Sequence, residues 1–324
     1  MVSVNQLLME EKGDGSDIKC YIVYHESDTD GRGSGGLMRY YAENYLMKNP
    51  IMIPHDHHKS IEWYDEIEPR DIILMGDIAL PRENMIWLTQ NTTFLWFDHH
   101  ISAMNTVEDI NIKGERNTEM SACGLIYENL LKPALNYIPE DTETIIQLIS
   151  DYDNWNVAKY GNVEYKNTPS AFSVYMSSVN INPDTPDGYA RWVEVIEEGI
   201  MDDMTVDEML DKGRFLQAFQ DKKNAGAVKN NAFEIEFEGL RGLACFGVHG
   251  SQAFDTRYDE SKHDIMISIN VQNNKEYNIS LYTTKDDVDV SLIAKKHGGG
   301  GHKGASGFTA KSIDFTGNEL QIHN

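Results

Sequence analysis

Four short apolar runs recur in the first hundred residues: Lys19–Tyr24, Pro50–Pro54, Asp71–Met75 and Thr93–Phe97. They are continuous rather than alternating, which is the pattern of strands buried on both faces of a parallel sheet. Helical spacing fills the intervals. Gly35–Asn49 places Leu37, Tyr40, Tyr41, Tyr45 and Leu46 on one face, and Arg82–Gln90, Ser121–Lys132 and Asp141–Ser150 follow. This rhythm predicts an α/β fold with a doubly wound parallel sheet. From Val157 the pattern turns more helical, with turn signals at Asn182-Pro183 and Pro186-Asp187-Gly188 and helices expected over Glu194–Leu210 and Lys212–Asn230. Strands then return at Phe233–Phe237, Gly242–Phe246, Asp264–Val271 and Tyr277–Tyr282, before a helix at Val290–His297 and a glycine loop. The expected organisation is a first α/β domain over 1–156, a helical connection over 157–230 and a smaller C-terminal α/β domain over 231–324, with a cleft between the two domains.

Composition narrows the function. The 324 residues are 40% hydrophobic and 25% charged, ordinary for a globular protein. No apolar stretch approaches the roughly 18 residues of a membrane span. The N-terminus has no basic segment before an apolar core, so the expectation is a cytoplasmic protein without a membrane partner. Cys20, Cys123 and Cys245 lack metal spacing and read as small buried residues of a reducing compartment. Acidic residues outnumber basic ones by 52 to 28, a net charge of −24. A protein that holds long nucleic acid shows a basic stripe instead. Long strands are therefore excluded as main ligands, while a small anionic substrate remains open.

The strand ends carry the chemistry. His25-Glu-Ser-Asp28-Thr-Asp30-Gly31, Gly76-Asp77 and Asp98-His99-His100 each follow an apolar run, and Asp151-Tyr-Asp153 closes a fourth. In an open α/β sheet these side chains emerge where ligands bind. So many carboxylates and imidazoles in one crevice would repel one another without cations between them, so the order predicts a two-metal enzyme. The tripeptide occurs twice. Asp56-His57-His58 follows a weaker run inside a polar segment, so the site is assigned to Asp98-His99-His100, with His55, His57 and His58 expected as exposed loop residues. Near the C-terminus, Lys295-Lys-His297-Gly-Gly-Gly-Gly301-His302-Lys303-Gly-Ala-Ser306 sets glycine N–H groups beside a local positive patch and a hydroxyl. That reads as an anion cradle formed by Gly299, Gly300, Gly301, His302, Lys303 and Ser306. Trp155 and Tyr282 could stack a base, although core is their expected role.

With His25…Asp28-x-Asp30, Asp77, Asp98-His99-His100 and Asp151 in this order, and a glycine-rich GGGH loop near the end, the chain resembles the DHH phosphoesterase superfamily. Within it, the chain looks most similar to the nanoRNase/oligoribonuclease and phosphoadenosine-phosphatase branch. The resemblance implies a binuclear Mn2+ centre, with Mg2+ or Co2+ as substitutes. His25, Asp28 and Asp77 would hold one ion, and Asp30, Asp77, His99 and Asp151 the other, with Asp77 bridging. His100 would contact the scissile phosphate or the leaving oxygen, and Asp98 would orient the histidine pair. His25 departs from the family spacing, standing three rather than four residues before Asp28.

These expectations converge on hydrolysis of very short oligonucleotides to mononucleotides. The alternatives are a phosphatase of 3′-phosphoadenosine 5′-phosphate, a phosphodiesterase of linear or cyclic dinucleotides and, outside catalysis, a nucleotide-binding module. The glycine loop speaks against a pyrophosphatase of the same superfamily. The sequence leaves homodimer formation open.

Overall fold

The computed structural model describes residues 18–56, 59–154, 168–272 and 274–323. The chain divides into two compact units, Met1–Leu216 and Gln217–Asn324. The first holds a sheet of four parallel strands, β1 (Cys20–His25), β2 (Ile51–His55), β3 (Ile72–Gly76) and β4 (Thr93–Phe97), in the order β2-β1-β3-β4. Alternate residues leave opposite faces of each strand. Ile22, Tyr24, Leu74 and Phe97 join one core with Leu37, Ile145, Phe172 and Trp192. Tyr21, Val23, Met75 and Trp96 join another with Met85 and Leu88. Both faces are covered, which explains the continuous apolar runs. The chain leaves β1 for β2 on one side and β3 on the other, so the order reverses between β1 and β3. That reversal is the crevice in which open α/β sheets bind ligands.

The first helix differs from its expected start. It spans Thr29–Asn44 (α1), so it begins before the expected Gly35 and takes in Gly31 and Gly33 as well as Gly35 and Gly36. Packing accounts for them. A Cβ on Gly31 would meet the His25 carbonyl oxygen at 2.1 Å, and one on Gly36 would meet the Trp192 ring at 2.4 Å. The glycines let α1 press against β1 and against the helix that carries Trp192, at some cost in helix propensity. After α1 come α2 (Arg82–Asn91), α3 (Ile101–Thr106), α4 (Ala122–Ile126), which continues as a π-type turn over Tyr127–Leu131, and α5 (Glu140–Asp153). Then follow α6 (Thr168–Ser178), α7 (Pro186–Glu197) and α8 (Val206–Asn231). The helix expected over Glu194–Leu210 is two helices. Gly199, Asp202 and Asp203 take positive φ of 71°, 53° and 59° between them. Thr205 and Glu208 then form a reciprocal cap that starts α8.

The second unit is a mixed sheet of eight strands in the order β11-β12-β5-β6-β7-β8-β10-β9. The strands are β5 (Phe233–Phe237), β6 (Leu240–Phe246), β7 (Ile265–Val271), β8 (Tyr277–Tyr282), β9 (Gly300–His302), β10 (Ala305–Ala310), β11 (Ser312–Thr316) and β12 (Glu319–His323). Helix α9 (Val290–Lys296) packs on it through Val290, Ile293 and Ala294. Cys20, Cys123 and Cys245 are all buried and unpaired, as expected for small core residues. Among the described residues, no helix is long and apolar enough to cross a membrane.

The Gly31 contact gives a test. Gly31→Ala drives a methyl into backbone that cannot swing aside, so it should cost about 1–3 kcal/mol, read as a lower urea midpoint with an unchanged m-value. An unchanged midpoint would mean that α1 slides freely on β1.

Candidate metal centre

β1, β3 and β4 end at the same level, and each delivers a ligand-type side chain from its carboxyl end. His25 is the last residue of β1, Asp77 follows β3, and Asp98-His99-His100 follows β4. Because β3 lies between β1 and β4, Asp77 sits between the other two groups. It adopts φ 59°, a left-handed conformation uncommon for a residue with a side chain, and its N–H donates to the Phe97 carbonyl at 3.0 Å. Its Oδ2 lies 3.4 Å from His25 Nδ1 and its Oδ1 3.4 Å from His99 Nε2. One carboxylate thus faces both histidines, one oxygen each.

Around Asp77 the side chains form three groups that could hold a metal ion: His25 with Asp28 and Asp77, Asp77 with His99 and His100, and Asp30 with His99 and Asp153. The His25 ring lies 2.9 Å from Asp28 Oδ2, so the three-residue spacing does bring it in. Asp28 also caps α1, accepting from the Gly31 N–H at 2.8 Å. Asp30 is buried in the first turn of α1, where its two oxygens accept from the N–H groups of Cys123 and Ala122 at 2.7 and 3.0 Å. Those amides fix the carboxylate before any ion arrives.

The structure departs from the sequence reading at the fourth motif. Asp153 Oδ2 lies 3.0 Å from His99 Nε2, whereas Asp151 is in none of the three groups. Residues two apart on a helix point about 200° apart, so α5 can turn only one of the pair toward His99. Asp151 is buried and accepts from Gln147 Nε2 at 2.8 Å. Asn154, which the sequence reading did not single out, holds His99 by its other nitrogen, Oδ1 to Nδ1 at 2.9 Å. This turns Nε2 toward the carboxylates, the usual task of an outer partner of a ligating histidine. Asp98 is fully buried, and its Oδ1 takes both the His100 N–H and the His100 ring Nδ1 at 2.9 Å.

The rejected copy of the tripeptide is closer than its sequence suggested. β2 pairs with β1 in the register His25↔His55, so Asp56 emerges beside His25. Its Oδ2 lies 4.0 Å from His25 Nε2 and accepts from Ser27 Oγ at 2.6 Å. His55, expected in an exposed loop, is buried at the end of β2 against Trp63. His57 and His58 lie outside the described residues.

The donor set fits divalent cations. His99 Nε2 has carboxylate oxygens of Asp153, Asp77 and Asp30 at 3.0, 3.4 and 3.7 Å. One N–H can donate to only one of three, while a cation among them would serve all. Electrostatics agree. Burial, together with the nearby Asp77 and Asp153 charges, pushes the Asp30 carboxyl well up. Burial works against charge on His25 and His99, yet the carboxylates around them hold the imidazoles up at about 10 and about 11. Burial likewise disfavours charge on Asp77, but the two imidazoles bring it down to about 2. In the metal-free protein, protons on the histidines take the place of cations. These clusters are a divalent-metal site.

In the second unit, the expected anion cradle is partly committed elsewhere. The Gly299 N–H donates to the Ala294 carbonyl at 2.9 Å, closing α9, and Ser306 Oγ donates to the Val290 carbonyl at 2.7 Å. Gly300 and Gly301 belong to β9, which pairs with β10, and a Cβ on Gly301 would meet Ser306 Cα at 2.6 Å. Close strand approach therefore explains part of the glycine run. Lys303 is exposed, and the side chain of His302 lies outside the described residues.

No protein-family model matches the chain. Among solved structures, the chain is similar to RecJ with Mn2+ from Thermus thermophilus (TM-score 0.49, 10% identity, 94% of this chain and 51% of that one). It is also similar to the pGpG-specific phosphodiesterase PggH of Vibrio cholerae (TM-score 0.48, 14% identity, 90% and 92%). In sequence it is 24% identical over 314 residues to the uncharacterized protein R106 of Acanthamoeba polyphaga mimivirus, covering 90% of this chain and 68% of that protein. It is 23% identical over 314 residues to the oligoribonuclease NrnB of Bacillus subtilis, covering 89% of this chain and 72% of that protein. That alignment spans nearly the whole chain, and the ordered motifs meet around Asp77. The chain is a DHH-family phosphoesterase. It is a metal-dependent hydrolase, and its tripeptide follows β4, the strand next to the one that delivers Asp77.

Two tests follow for this DHH site. Asp153→Asn should weaken Mn2+ binding by at least the 10–100-fold typical of a lost outer partner, whereas Asp151→Asn should leave Mn2+ affinity within a few-fold. Calorimetric titration separates them, and the reverse ranking would restore Asp151. The second concerns pH. The imidazole charges are held above their ordinary 6.5, so the stability they contribute is full below that value and is lost as pH rises through about 10 and 11. The metal-free protein should therefore lose Tm over this range. Mn2+ affinity should rise over the same interval with release of protons, because a ligating imidazole is neutral.

Proposed function

We propose that this DHH phosphoesterase hydrolyses very short oligonucleotides, dinucleotides foremost, to mononucleotides with Mn2+. The observation that carries the reading is the sharing of Asp77. One carboxylate faces two ligand groups, so the site suits two ions rather than one. His25, Asp28 and Asp77 would hold the first, and Asp30, Asp77, His99 and Asp153 the second. Mixed carboxylate and imidazole donors suit Mn2+. When bound, two such ions supply positive charge for phosphate oxygens and make a water acidic enough to attack at neutral pH.

The remaining steps belong to side chains of the chain. His100 is half exposed, with its Nδ1 held by Asp98, which leaves Nε2 for the substrate. The hydrogen bond to Asp98 raises the His100 imidazole above its ordinary value despite burial. A charged Nε2–H beside the scissile bond would give its proton to the departing oxygen, while Asp98 steadies the ring through the transfer. The Gly299–Lys303 segment remains the candidate for a substrate phosphate in the second unit, through Lys303 and the glycine backbone. The net charge of −24 supports short substrates, since a long strand needs a basic track. The name of the relative NrnB, an oligoribonuclease, points the same way.

The deciding assay is Mn2+-dependent hydrolysis of a length series from a dinucleotide to a long single-stranded RNA, with 3′-phosphoadenosine 5′-phosphate and pyrophosphate alongside. Fast turnover confined to dinucleotides through pentanucleotides is the expected result. Activity on phosphoadenosine phosphate or pyrophosphate alone would move the enzyme to small-molecule phosphatases, and tight nucleotide binding without turnover would make it a binding module. His100→Ala should lower kcat about 10²–10⁴-fold with Mn2+ binding retained. A variant that lost both together would place His100 among the ligands instead.

A further inference from the structure

Beside the metal centre, and wholly within the first unit, lies a cavity of about 230 Å3. Asp28, Asp30 and Asp153 form one wall, so it opens onto the metal ligands. Leu148, Phe172 and Tyr152 supply apolar surface, Ser173 a hydroxyl and Arg32 the positive charge. We propose that this cavity is the subsite for one nucleoside of the substrate, with Tyr152 stacking its base and Arg32 binding the phosphate that joins it to the metal centre. The inference rests on the phosphoesterase reading above and names the residues that would select the substrate.

Three observations carry it. The first is Arg32. Its Nε donates to the Glu26 carbonyl at 2.8 Å, which anchors the guanidinium. Among the described residues, its Nη groups make no hydrogen bond or ion pair. A half-buried guanidinium amid carboxylates normally pairs with one of them, as Arg191 pairs with Asp202 and Arg241 with Asp264 in this protein. Arg32 instead keeps a planar fork of donors free at the edge of the metal site, the shape that suits a phosphate. The second is Tyr152. It sits on α5 immediately before Asp153, so whatever places the carboxylate at His99 also places the ring at the cavity mouth. It is 48% exposed, unusual for a large aromatic beside a cavity, and an aromatic face stacks any base. Trp155 lies outside the described residues, and Tyr282 packs half-buried in the second unit.

The third is size. Pockets for drug-sized ligands run from about 300 to 1,000 Å3. At about 230 Å3 this cavity falls below that range, a size that suits one nucleoside rather than a dinucleotide, so the next residue of a substrate would lie beyond the phosphate.

Binding of adenosine 5′-monophosphate and of ribose 5-phosphate, which lacks the base, tests this in the Mn2+-loaded protein. The wild type should bind the nucleotide more tightly than the sugar phosphate. Tyr152→Ala should cost about tenfold on the nucleotide alone, and Tyr152→Phe should restore it. Arg32→Met should weaken both ligands alike. Equal affinities in the wild type, or full nucleotide affinity in Tyr152→Ala, overturn the base subsite, and unchanged phosphate binding in Arg32→Met overturns the role of Arg32. Mn2+ titration of each variant identifies loss of the fold or of the metal site. Because these are binding readouts, they stand apart from turnover. A protein that discriminates by the base but cleaves no dinucleotide would keep the pocket and refute the hydrolytic reading.

Discussion

Everything at this site depends on keeping several carboxylates and two imidazoles close together in a place that water barely reaches. Asp30 and Asp77 are each 2% exposed and Asp98 is fully buried. Such a cluster would fly apart or protonate unless something compensated its charge. The protein uses three devices. Backbone amides at the start of α4 hold Asp30, a strained turn after β3 holds Asp77, and the histidines share protons with their neighbours until cations take over. The strand order makes this workable. A carboxylate on the central strand can be reached from β1 on one side and β4 on the other, so no long loop has to carry a ligand across.

The glycines of α1 belong to the same arrangement. Asp28 caps that helix and Asp30 lies in its first turn, so the distance between α1 and β1 sets the distance between these carboxylates and His25. A side chain at Gly31 would push against the carbonyl of His25 itself. Close packing and ligand placement are thus one constraint at this helix, met at the expense of the helix propensity that alanine would have given.

This division explains what the sequence could and could not tell. Strand β4 was legible to the residue, because a run such as Thr93–Phe97 can only be core. The ligand types at His25, Asp77 and Asp98-His99-His100 were legible for the same reason, since each stands at the end of a strand or directly after one. The start of α1 was not. The apolar spacing begins only at Leu37, and the positions of His25 and Trp192 show why the residues before it, glycines included, already lie in the helix. The choice between Asp151 and Asp153 was hidden too, because both stand in one helical turn and only the rotation of α5 relative to His99 decides. His55 was misjudged from its polar neighbours, although the pairing of β2 with β1 buries it.

The C-terminal glycine segment shows the same ambiguity from the other side. Four glycines in a row invite a reading as a phosphate cradle, and Lys303 beside them supports it. Yet Gly299 and Gly301 each have a packing reason to lack a side chain, and the Ser306 hydroxyl serves α9. A structural reason for a residue does not exclude a functional one, but it removes that residue as independent support. By that standard the first unit holds the stronger signal. Packing among the described residues accounts for the glycines of α1 and the apolar runs of the sheet, but it offers no reason for a guanidinium left open beside three carboxylates. An acidic protein that leaves this fork of donors without a hydrogen-bond partner among the described residues, next to its metal ligands, is arranged for an anion that comes and goes.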